Sequence, residues 1–217
     1  MDIAISLLYG VIGAAIGYEV PLFSLKIIEY KKRKDNIDDN AFLYSTILKI
    51  CLAVFNGMAW SLAGYHLDNS LVALLIGFQI SLGLIIAYID INIRIIPNEL
   101  VLIMIVLGII FQAMNFGPRA LGGSLLSMIV MMTVFISVAG FVGLGKVGAG
   151  DVKLAGAMGL ALGNPLIIIA VAVMATVLLV FIVVGMILKK IYLSTMLPMA
   201  PFMIFGYIVG LMSVLIL

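Results

Sequence analysis

Long apolar stretches broken by short polar turns run the length of the chain. Read by length and boundary, they predict helices near 3–25, 42–65, 70–89, 98–116, 121–143, 165–188 and 198–217. Each is close to the roughly 20 apolar residues that one helical bilayer crossing needs. A shorter stretch, 152–163, lies between Asp151 and the Asn164-Pro165 break. At about 1.5 Å per residue it crosses only as a thin span extended into its flanks; otherwise it is a re-entrant helix buried among its neighbours. The fold class expected is all-α, a polytopic membrane bundle of about eight transmembrane segments, with seven as the variant, and residues 1–217 form one domain.

Basic residues choose between these counts. The polar segment that begins at Lys26 carries Lys31, Lys32, Arg33 and Lys34, with Lys49 further on. Under the positive-inside rule this segment faces the cytoplasm, and residues 26–41 are expected as a polar loop. Alternation then places Arg94, Lys146 and, with eight crossings, the Lys189-Lys190 pair on that same side, leaving Arg119 outside. Seven crossings strand the pair outside. The start, MDIAISLLYG, lacks a basic leader region and reads as a retained first helix.

Composition narrows the function classes. Of 217 residues 65% are apolar and 10% charged, against about 25% charged in soluble domains, so a soluble enzyme and a disordered regulator are both excluded. A net charge of +2 is too small for nucleic-acid binding. The single Cys51 and single His66 rule out a disulfide within the chain, a paired-cysteine zinc site and nearly every histidine metal site, so no metal or cofactor is expected. The 14 methionines read as adaptable packing, and Trp60 as an interfacial anchor.

Ionisable groups at membrane depth are expensive, and each asks for a reason. Glu19, Asp90, Glu99 and Asp151 stand within or against spans. Asp90 closes the third span in AYIDINIRIIPNEL, where Pro97 suits the first turn of the next helix. Asp151 follows Gly140, Gly143, Gly145, Gly148 and Gly150, five glycines in eleven residues, a density that breaks a helix and lets another backbone approach. Both aspartates fall at one depth on the cytoplasmic face. Two carboxylates in one site hold one proton between them, so one activates water while the other polarises a carbonyl or protonates a leaving amine. The structural alternative makes each aspartate a helix cap or the partner of Arg94 or Lys153. Glu19 reads as an interhelical hydrogen bond, with recognition of a substrate as the alternative. His66 and Asp68 read as solvated.

The run GKVGAGDVKLAGAMG, with GAGD at 148–151, resembles the GxGD membrane aspartyl proteases and, among them, the type IV prepilin peptidases. The second marker of that family, an aspartate at the end of a span followed some seven residues later by Ile or Leu, Pro, and Asp or Asn, stands here as Asp90 with Ile96-Pro97-Asn98. A weaker echo is LPMAPF at 197–202. The resemblance spans about residues 70–217 and implies a membrane endopeptidase with Asp90 and Asp151 as the catalytic pair. Gly148, Gly150, Lys153, Arg94, Pro97 and Asn98 would shape the loop or bind substrate. It implies removal of short basic leaders from prepilin-like precursors at the cytoplasmic boundary of the cell membrane. Longer relatives carry a cysteine-rich module between the first two spans and methylate the trimmed product. That loop has no cysteine here, so the peptidase carries over and the methyltransferase does not. An ion- or proton-coupled transporter using the same aspartates, and a presenilin-like protease cutting within a helix, remain as competing readings.

Overall fold

The computed structural model describes residues 3–35, 45–142, 148–189 and 197–216. These fold into α1 (Ile3–Asp35), α2 (Thr46–His66), α3 (Ser70–Ile93), α4 (Asn98–Asn115), α5 (Ala120–Val142), α6 (Ala149–Leu162), α7 (Leu166–Ile187) and α8 (Ala200–Met212), with a 3-10 turn at Ser213–Leu215. All but α6 and α8 are long and apolar enough to cross a membrane.

Local chemistry sets several boundaries. Ser45 Oγ accepts from the Ile47 N–H at 3.2 Å and starts α2, and Asn69 Oδ1 accepts from the Leu71 N–H at 3.0 Å and starts α3. Arg94 ends α3 in the left-handed region, at φ 53°, and sends its N–H to the Asp90 carbonyl at 2.8 Å. The return into α4 is then made by Ile95, Ile96 and Pro97.

The helices alternate in direction, as side-chain contacts along them show. Tyr9 near the start of α1 donates to the Ser70 carbonyl at the start of α3, so these two run parallel. Trp60 and Asn56 meet Ser81 across antiparallel α2 and α3. Tyr207 of α8 donates to Gln79 of α3, and Ala200 meets Asp90, so α8 runs against α3. Short α6 is inserted between α4 and α5: Gln112 Nε2 of α4 donates to the Ala161 carbonyl at 2.8 Å, and Gly159 lies against the Ser127 backbone of α5. With Gly150 against Ile96 at one end and Ala161 against Gly108 further along, α6 runs parallel to α4 over about 21 Å. Ten of its 14 residues are buried, so it is an interior strut.

Two expectations need correction. Residues 26–35 are not loop: α1 continues through them. Ile28 there is fully buried, so the apolar face persists beyond residue 25. Trp60 is not at an interface either; it is fully buried and its Nε1 donates to Ser81 Oγ at 3.1 Å. Asn56 Nδ2 donates to the Gly13 carbonyl at 2.7 Å and to Ser81 Oγ at 3.0 Å, which closes a polar cluster linking α1, α2 and α3. Asn56→Leu removes its centre. The expected cost is about 0.6–2 kcal/mol, the span measured for interhelical hydrogen bonds in membrane bundles and model peptides. Thermal unfolding of the purified protein in detergent would show it as a lowered midpoint.

Candidate active site

Asp90 sits at the C-terminal end of α3 and Asp151 in the first turn of α6. The two are 4% and 9% exposed, and both line one cavity of about 320 Å³. Residues 61 apart in the chain therefore share a chamber at one end of the bundle.

Each carboxylate is held by a backbone donor. Asp90 Oδ2 accepts from the Ala200 N–H at 2.9 Å, across 110 residues of sequence. Ala200 is the first residue of α8, and Pro201 after it has no N–H, so Asp90 satisfies a donor that the helix itself leaves open. Asp151 Oδ2 accepts from the Gly148 N–H at 3.0 Å, three residues back. Both aspartates thus do act as caps. Neither carboxyl makes another hydrogen bond among the described residues, so the cap occupies one oxygen of each and leaves Oδ1 without a protein donor. Asp151 and Arg94 both lie near enough to Asp90 for their charges to act on it.

The remaining walls come from three places. The α3–α4 turn supplies Arg94, Ile95, Ile96 and Asn98; the start of α6 supplies Gly148 and Gly150; Leu197, Pro198 and Met199 close the side toward α8. A Cβ on Gly150 would stand 3.1 Å from Ile96 Cβ, so the glycine lets the start of α6 rest directly on the α3–α4 turn. Lys153 and Pro97 do not line the cavity. Lys153 Nζ donates to Asn98 Oδ1 at 3.0 Å rather than pairing with Asp151, and Pro97 faces a neighbouring groove with Lys31 and Glu99, which are bonded at 2.9 Å. Arg94 forms no ion pair among the described residues. Gly143 and Gly145 lie outside the described residues.

Glu19 is half-buried on α1, away from the cavity, and makes no hydrogen bond among the described residues. The interhelical bond expected of it is absent. Among the described residues no three His, Cys, Asp or Glu side chains gather as a metal site would require.

The sequence profile of the type IV leader peptidase family matches residues 77–216. That is well over half of the chain and takes in α3 from Gly77 onward together with every later helix. The chain belongs to this family. It is a peptidase, its substrate is a protein, and its long apolar helices make it a multi-pass membrane protein. No curated protein and no solved structure matches it. The matched region contains both aspartates, the α3–α4 turn, the glycines at the start of α6 and the Leu197–Met199 wall of this peptidase's cavity.

Proposed function

We propose that this peptidase is an aspartic endopeptidase that removes short basic leaders from prepilin-like precursors, with Asp90 and Asp151 as its catalytic pair. The observation that carries the reading is the convergence of two nearly buried carboxylates, from helices distant in sequence, on one cavity at the end of the bundle.

The chemistry follows from one shared proton. The ionised carboxyl takes a proton from water as its oxygen bonds to the scissile carbonyl carbon. The protonated carboxyl donates to the carbonyl oxygen, where negative charge develops. Collapse of the tetrahedral intermediate breaks the C–N bond; the proton held by the first carboxyl passes to the leaving amine, and the proton lent to the carbonyl oxygen returns to the second carboxyl, restoring the pair. The products are a leader with a new carboxylate and a precursor with a new amino terminus.

Placement supports a boundary cut. Lys31, Arg94 and Lys153 stand at the cavity end of the bundle, whereas Arg119 lies in the turn between α4 and α5 at the other end. By the positive-inside rule the cavity opens to the cytoplasm. An extended peptide entering there meets the carboxylates where a following apolar helix would begin. Methylation forms no part of the proposal.

Incubation of the purified peptidase with a precursor bearing a basic leader, a glycine and an apolar helix tests this, with mass spectrometry of the products. The expected result is one cut just before the apolar helix. A cut within that helix would favour presenilin-like proteolysis, and an intact precursor would overturn the proposal.

A further inference from the structure

A peptidase that cuts where a polar leader meets a membrane helix needs a passage from its carboxylates into lipid. The insertion of α6 between α4 and α5 opens one. These two helices, consecutive in the chain, lean on α6 more than on each other, and a groove of about 350 Å³ remains between them. Leu102 and Ile105 of α4 and Met128 and Met132 of α5 line it, with Asn98 and Lys153 at its mouth.

We infer that this groove receives the apolar segment of the substrate that follows the cut, an inference that rests on the proposed leader-peptidase activity. Continuity is the first support. Asn98 lines both the groove and the cavity of Asp90 and Asp151, so the two are neighbours, parted at the mouth by the 3.0 Å Lys153–Asn98 hydrogen bond that an entering chain displaces. The grooves between α1 and α2 and between α5 and α7 share no residue with the cavity. The groove beside Pro97 likewise shares no residue with the cavity.

Depth and chemistry agree. From Asn98 to Ile105 the groove descends seven residues along α4, about 10 Å. Leu102 is 61% exposed, so the groove is open to lipid on its outer side. Two methionines on the opposite wall adapt to apolar side chains of varied shape. Lys153 at the mouth sets direction, because its cation repels a basic leader and passes an uncharged segment. The basic leader is kept out of the groove, and the apolar segment enters it.

The test compares two substrates: a full precursor with its apolar helix, and a peptide holding the same leader and cut but ending a few residues beyond it. Leu102→Trp fills the groove from its lipid-exposed wall, so the fold tolerates it. It is expected to lower kcat/KM for the full precursor at least about tenfold more than for the peptide. Val130→Trp, in the α5–α7 groove, is expected to leave that ratio within about twofold. A photocrosslinker at position 102 in an Asp151→Asn background reads binding without turnover and is expected to capture the apolar segment of the precursor. Equal losses on both substrates, or capture of a second copy of this chain in place of the precursor, would overturn the groove. Capture of the precursor by a protein whose native form cuts neither substrate would support the groove and overturn the peptidase reading.

Discussion

Asp151→Asn and Asp90→Asn are each expected to lower leader cleavage by about three orders of magnitude or more, with the folded protein intact. Asparagine keeps an oxygen that can accept from Gly148 N–H at position 151, or from Ala200 N–H at position 90, so both caps survive. What it cannot do is exchange a proton with water, a carbonyl or an amine. A positioned acid or base contributes about 10²–10⁴ in rate, and members of one catalytic unit fail together. Alanine would confuse the result, since loss of a cap costs about 1 kcal/mol. The check is the initial rate of leader release beside the thermal midpoint. An equal midpoint with a collapsed rate assigns the loss to chemistry.

A large structural effect is expected at Gly159. A Cβ there would lie 2.7 Å from the Ser127 carbonyl oxygen and 3.0 Å from Met128 Cα, so it strikes the α5 backbone rather than a side chain that could turn aside. Nor can α6 retreat, because Ala161 on its other side already fills the space at Gly108 of α4. Gly159→Val must therefore part α5 from α6, at about 3 kcal/mol, the upper end of ordinary overpacking costs. It also displaces the helix that carries Asp151. Loss of monodisperse protein in detergent, with a much lowered midpoint in what remains, is the expected outcome. Gly122 and Gly123 on α5 have open space around the corresponding Cβ, and alanine there should leave yield unchanged.

Much of this architecture was legible because lipid imposes a simple rule on length and charge. Helices α2 to α5 and α7 begin and end within a few residues of the expected spans, since polar turns interrupt otherwise apolar sequence. The placement of Asp90 and Asp151 on one end of the bundle followed from counting the helices between them. Lateral packing was not legible. In a chain this apolar, core and lipid faces are both hydrophobic, so no periodicity marks which side of α6 meets α4 and which meets α5. Trp60 shows the same loss of signal, because an indole serves equally at an interface and in a core with a partner such as Ser81. The bond between Asp90 and Ala200 joins residues 110 apart. The motif LPMAPF hinted only that something happens where α8 begins. Lys153, two positions after Asp151, looked like a neighbour for its charge, yet the helix turns it toward Asn98. The continuation of α1 beyond residue 25 is masked by its charge, although Ile27 and Ile28 keep an apolar side among the lysines.

The most direct measurement is a single turnover of the purified peptidase on a precursor in water enriched with oxygen-18. It is run for the native protein and for the two asparagine variants, with mass spectrometry of leader and enzyme peptides. Water activated between two carboxylates predicts one heavy oxygen in the new carboxylate of the leader, none in the peptides containing Asp90 or Asp151, and no leader from either variant. Heavy oxygen in either aspartate, or release by a variant at more than about one-tenth of the native rate, would contradict it.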